Sequence, residues 1–343
     1  MKSHLKKIER KFDYTDKSQY DYVLNQSERS ENFSTILFEL FKKDLKQEDF
    51  AYYPNTKNFK EKICKFYNVE TENLFLSDGS DVGIKSIFET FTTCGKVITS
   101  EPSFPMYKVY CELYRCQYYG IHYEKDYTLS IDRLLSFSDK ETDLFILANP
   151  NSPIGDSKTF EEIKPILDTG KMVLIDEAYI EFSDAKSMIK YIDDYPNLLV
   201  TRTFSKGFGA AGCRVGMTFG HKDTIELLSK FRQMYEITGV SLKYCEFLLD
   251  NFHLVDIYTQ EVIEERKKVL TLMKNFSILD SEANWIHFNT HDDNSKTQQI
   301  FDKHKVLVKY CSLPHDTRSS WCRMTIQPDM TSKPFFRELV NEQ

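Results

Sequence analysis

An α/β fold is predicted, with a mainly parallel seven-stranded sheet in a large domain and a smaller α+β domain. Three observations predict it. Short apolar runs alternate with amphipathic stretches from about residue 60 to 220, as they do when helices cover a parallel sheet. From about 283 to 326 the order changes to strand, helix, strand. The chain has 343 residues, too many for one small domain and enough to bury a large core.

In chain order, the first 45 residues are weakly patterned and read as an arm that wraps the body or joins the small domain. The large domain is expected over 46–240 and the small one over 241–343. Candidate strands are "NLFLS" (73–77), "KVITS" (96–100), "QYYGIHY" (117–123), "DLFILAN" (143–149), "MVLIDEA" (172–178), "LLVTRT" (198–203) and "RVGMTF" (214–219). They are short, apolar and rich in β-branched residues. Helical patterns at 81–91, 104–114 and 159–168 lie between them. A long helix is predicted over "HKDTIELLSKFRQMY" (221–235), with more helix to about 275. "NWIHFNT", "KTQQIFDKH", "KVLVKYC" and "CRMTIQP" then make the small lobe.

Composition narrows the function. Hydrophobic residues at 41% and charged ones at 28% are ordinary for a globular protein. The 45 basic and 52 acidic side chains give −7 with no sustained basic run, which argues against a nucleic-acid surface. Eight cysteines form no C-x-x-C pair and no histidines cluster, so no metal site is expected. No window approaches eighteen apolar residues and no signal peptide is evident, so no membrane partner and a cytoplasmic location are expected.

The chemistry-bearing residues fall at strand ends, where ligands sit in such sheets. "SDGSDVGIK" puts Gly79, Ser80 and Asp81 where a strand gives way to a helix, which makes either a simple cap or an anion site. "LIDEAY" ends a strand at Asp176 and continues to Tyr179. "NPNSPIG" (149–155) is a constrained turn carrying Asn151. "TRTFSKGFGAAGCRVG" holds Thr203, Ser205, Lys206 and, eight residues on, Arg214. No Walker loop and no G-x-S-x-G elbow is present. A lysine, an aspartate, hydroxyls, an arginine and an aromatic remain, the groups that hold pyridoxal 5′-phosphate as a Schiff base.

This set resembles the fold-type I pyridoxal-phosphate aminotransferases of class I/II, most closely the histidinol-phosphate aminotransferase branch. "YPNTKNFKEKICKFYNV" (53–69), "GSD", "EPSFPMY" (101–107), "NPNSPIG", "IDEAY", "TFSKGFGAAGCRVG", "EANWIHF" (282–288) and "CRMTI" (322–326) carry the likeness, in the family's order. The resemblance implies that Lys206 links to the cofactor and moves the substrate proton. It implies that Asp176 pairs with the pyridine nitrogen, and that Tyr179 and Asn151 contact the phenolic oxygen. Phe104 would stack on the ring. Gly79, Ser80, Asp81, Thr203, Ser205 and Arg214 would hold the phosphate, helped by Tyr53 from a neighbouring subunit. A homodimer with shared active sites follows. Arg323 would clamp the substrate carboxylate.

The chain departs from the family pattern in places. Ser152 and Ile154 replace the usual Asn and Thr of the turn, and Glu236 stands at an Asn position. Lys309 occupies the place of a second arginine that holds a substrate phosphate. "LNQSERS" (24–30) replaces the usual L-N-x-N-E. The cofactor residues match better than the substrate residues. The implied reaction moves an amino group from a small-molecule donor, glutamate, to a small oxo acceptor that carries a phosphate or not. Decarboxylation of a phosphorylated amino acid on the same framework is the alternative.

Overall fold

The computed structural model describes residues 3–8, 15–29, 35–290, 294–313 and 316–341. Parts of the expected arm, residues 1, 2, 9–14 and 30–34, lie outside this set.

All seven predicted strands of the large lobe form, each within two residues of its expected ends: β1 (Leu74–Asp78), β2 (Lys96–Glu101), β3 (Gln117–His122), β4 (Thr142–Ala148), β5 (Met172–Asp176), β6 (Leu198–Thr203) and β7 (Val215–Gly220). They make one sheet in the order β1-β7-β6-β5-β4-β2-β3. The central strands are buried on both faces, which is why they read as continuous apolar runs rather than alternating ones. Only β7 runs against its neighbours. Its first residues therefore lie at the edge where β1 and β6 end, Val215 beside Asp78 and Gly216 beside Thr203. That reversal brings Arg214 to the carboxyl ends of the parallel strands.

The small lobe is an antiparallel sheet of β8 (Ser277–Leu279), β9 (Trp285–Asn289), β10 (Lys309–Leu313) and β11 (Asp316–Thr325), in the order β10-β11-β9-β8. Alternation sorts its faces. Ile286, Phe288, Cys322 and Met324 pack into a second core, and His287 and Arg323 take the other face. Tyr22–Val23 pairs with Val306–Leu307, and Leu24 is buried in that core, so the arm belongs in part to this lobe.

One expected helix is shorter than the pattern suggested. The stretch 221–235 is helical only at Lys222–Leu228, with a 3-10 turn at Ser229–Phe231. The chain then extends from Arg232 so that Ile237 enters the main core and Thr238 caps the next helix by accepting from the Ser241 amide. Core burial and a cap outweigh the helical periodicity there. Helix Gly239–Asp250 packs Leu242, Cys245 and Leu248 into the main core. Helix Phe252–Leu272 starts there with Val255 and runs on into the second core with Tyr258, Val262 and Val269.

Candidate active site

A cavity of about 300 Å³ opens where β1, β4, β5 and β6 end. Nine of the expected residues line it: Ser80, Asp81, Phe104, Asp176, Tyr179, Thr203, Ser205, Lys206 and Arg214. They divide into an anion end, a buried carboxylate and an amine.

The anion end is made by the start of helix Gly79–Phe91, whose first amides have no partner within the helix. Gly79 lies beneath it, at φ +75°, and its amide donates to the Arg214 carbonyl at 3.0 Å. A Cβ at Gly79 would stand 2.3 Å from Arg214 Nη2, so the missing side chain makes the room that the guanidinium fills. Arg214 itself takes a left-handed backbone and donates through Nη1 to the Ala211 carbonyl at 3.3 Å. Thr203 Oγ1 donates to Ser205 Oγ at 3.0 Å and accepts from the Ser205 amide. The Asp81 carboxylate, out of place beside an anion, accepts from Tyr110 Oη at 2.7 Å.

Asp176 ends β5 and is 6% exposed. Burial raises its pKa, opposed by hydrogen bonds from Tyr107, Thr201 and the Ala178 amide. Tyr107 Oη donates to Oδ2 at 2.8 Å and Thr201 Oγ1 to Oδ1 at 3.1 Å. Lys206 Nζ donates to the Gln26 carbonyl at 2.8 Å and stands 5.3 Å from the Tyr179 ring. Tyr179 sits between two acids that Arg202 holds: Nη1 bonds Glu177 at 3.1 Å and Nη2 bonds Glu181 at 2.7 Å.

Four expected residues lie outside this wall besides Gly79. Asn151 is 2% exposed and its amide is engaged elsewhere. Its Nδ2 donates to the Pro102 carbonyl and to Tyr123 Oη, and Oδ1 accepts from Ser103. Ser152 lines the cavity in its place. Tyr53 is 77% exposed and stacks on Tyr235, with ring centroids 4.0 Å apart. Arg323 and Lys309 line a second cavity of about 280 Å³, which shares Phe104 and Ser152 with the first. Tyr107, Thr201, Gln26 and His287, the last in the second cavity, were not anticipated.

The family model for aminotransferase class I and II matches residues 27–335. The chain belongs to the class I and II aminotransferases. It is similar to the histidinol-phosphate aminotransferase of Christiangramia forsetii, 32% identical over 299 residues, 84% of this chain and 85% of that one. It is also similar to the enzyme of that name from Pyrococcus furiosus, 30% identical, covering 78% of each chain. Among solved structures, the histidinol-phosphate aminotransferase of Sinorhizobium meliloti in complex with pyridoxal-5′-phosphate superimposes with a TM-score of 0.86 at 18% identity, over 100% of this chain and 98% of that one. The seven-stranded sheet of this aminotransferase is thus the fold of its relatives; Gln26 and Glu28 of the arm close the first cavity, and the small sheet contributes His287, Lys309, Cys311 and Arg323 to the second.

In this aminotransferase the second cavity sets Lys108, Lys309 and Arg323 against one carboxylate, Glu101. Arg323 is 9% exposed, donates to the Asn25 carbonyl at 3.0 Å and lies 5.5 Å from the Trp285 ring. Trp285 in turn meets Tyr179 edge to face, with centroids 4.4 Å apart. That ring contact joins Tyr179, on the wall of the first cavity, to the small sheet.

Proposed function

We propose that this aminotransferase uses pyridoxal 5′-phosphate to move an amino group from glutamate to a small oxo compound bearing an anionic group, as histidinol-phosphate aminotransferases do with theirs. The observation that carries the reading is a single cavity lined by an amine, Lys206, a buried carboxylate, Asp176, and a cationic cradle at Arg214. The residues fit the cofactor. The open helix start, the Ser205 hydroxyl and the guanidinium suit a phosphate dianion. Asp176 suits a protonated ring nitrogen, and Phe104 a planar ring.

When bound, the cofactor supplies an aldehyde for the amino group and a ring that draws electrons from the carbon bearing it. Asp176 keeps the ring nitrogen protonated. Lys206 carries the proton to and from the substrate carbon. Tyr179, on the cavity wall, would donate to the phenolic oxygen, and Ser152, which lines the cavity where Asn151 does not, would face the cofactor in place of Asn151. Arg323 holds the substrate carboxylate in the adjoining cavity, and Lys309 adds a second positive charge for a distal anion. Tyr53, exposed and outside the two cavities described above, supports a homodimer in which it reaches the other site. Eight free cysteines support a reducing, cytoplasmic setting.

The test is spectroscopic. The cofactor-loaded protein should absorb in the visible, and borohydride should fix the cofactor on the peptide that contains Lys206. Glutamate should bleach the band, and a screen of oxo acids and phosphorylated ketones should restore it. Cofactor on another peptide would refute the site. Carbon dioxide released from an amino-acid phosphate without an oxo acceptor would make the enzyme a decarboxylase.

A further inference from the structure

His287 is the middle residue of β9, fully buried, and neither ring nitrogen has a hydrogen-bond partner among the described residues. It nonetheless belongs to the wall of the second cavity. A neutral imidazole carries one donor and one acceptor, and burying both unpaired costs free energy that a phenylalanine would avoid. A partner is therefore to be sought in what the cavity receives.

The neighbour is informative. His287 faces Arg323 across the sheet, and Arg323 faces Lys309 on its other side. Arg323 is drawn to the Asn25 carbonyl through Nη2, and its Nε has no partner. An unpaired N–H thus stands on the residue opposite an unpaired imidazole. Burial, and after it the charges of Arg323 and Lys309, push the His287 pKa down to about 3, so the ring keeps a lone pair with which to accept. A protonated ring would have only donors and would repel the guanidinium.

We propose that His287 is a positioning residue for the substrate anion. It accepts a hydrogen bond from Arg323 Nε when the guanidinium turns from Asn25 to grip the anion, and its remaining N–H, uncovered by that movement, donates to an anion oxygen. The anion is a carboxylate or a phosphate, the acidic group shared by the substrates of the reading above. The inference rests on that reading only in assigning the anion to the substrate. It makes His287 a selector: an uncharged group seated on Arg323 leaves the ring unsatisfied.

The experiment titrates the cofactor-loaded protein with succinate and, separately, with inorganic phosphate, following tryptophan fluorescence, since Trp285 lies 5.5 Å from Arg323. The wild type should bind at least one anion saturably, and the arm that binds names the group. His287→Phe should weaken that binding roughly 10- to 100-fold, the loss of a hydrogen bond to a charged group. His287→Gln, which keeps a donor and an acceptor, should come within about threefold of wild type on the same reasoning. The visible band of both variants should be unchanged. In the glutamate half-reaction His287→Phe should raise KM far more than it lowers kcat. If His287→Phe does not fold, His287→Leu is read in the same way. Wild-type anion binding in the apolar variant overturns the proposal, as does equal weakening in the apolar and Gln variants or no anion binding by the wild type. A wild type that binds anions but never exchanges amino groups sinks the transaminase reading and leaves this one standing.

Discussion

Burial raises the Asp176 pKa, and two hydroxyls that donate to the carboxylate oppose that rise. The sign of the pH dependence follows. A raised carboxyl pKa means that the cofactor-free fold loses stability as pH rises through that pKa and regains it as pH falls toward the unfolded value. On the proposed pairing of Asp176 with the ring nitrogen, cofactor retention should run the other way: present above the Asp176 pKa and lost as pH falls through it. Tyr107→Phe removes a donor to the charged form worth about 1.5–3 kcal/mol, so the acid loss of cofactor should move up by roughly 1–2 pH units. A pH titration of the visible band checks this, and an unmoved midpoint would refute the role given to Tyr107. Asp176 was legible in the sequence because it ends an apolar run. Tyr107 was not, because the contact spans 69 residues and its helix offers three tyrosines in nine positions. Gln26 was hidden for the same reason: it meets Lys206 through a backbone carbonyl 180 residues away, and carbonyls have no residue type to read. Asn151 and Ser152 are neighbours, and only the turn's geometry decides which faces the cavity.

Among the glycines, the closest approach between elements is at Gly216 on β7. A Cβ there would lie 2.2 Å from Gly79 C and from Ser80 N, both backbone atoms at the start of helix Gly79–Phe91. Neither can swing aside as a side chain can. Gly216→Ala should push the helix start away from the cradle. We expect cofactor affinity to fall at least about tenfold and stability to fall by about 1–3 kcal/mol, the usual range for overpacking. Equilibrium dialysis of cofactor and a thermal melt check it. Gly79→Ala should be milder at the contact, since its obstacle is the tip of Arg214, but adds backbone strain of about 1–2 kcal/mol at φ +75°. The large-lobe strands were legible because each is an apolar run bounded by turn residues. The end of the 221–235 helix was not. Its periodicity continues through Phe231 and Tyr235, whereas Tyr235 is spent on stacking against Tyr53 rather than on the helix's buried face.

Across the whole molecule, Tyr52, Tyr53 and Met234 are 71%, 77% and 81% exposed, an apolar concentration that a monomer seldom leaves open. If it is the dimer face, the wild type should sediment as a dimer at micromolar concentration, and Met234→Asp should shift it toward monomer with a matching loss of activity. A fully active wild-type monomer would end that reading. The lobes, too, were visible as a change of pattern, and helix was expected to about residue 275; the pattern did not show that this helix is shared by the two cores. Helix Phe252–Leu272 has 21 residues, with Val255 set in one core and Val262 and Val269 in the other. At 1.5 Å per residue such a helix is about 31 Å long, so a tilt of about 5° about its first turn carries its far end through about 2.7 Å. It is a lever: repacking too slight to notice around Val255 becomes, at the sheet that bears Arg323, a displacement comparable to the length of a hydrogen bond.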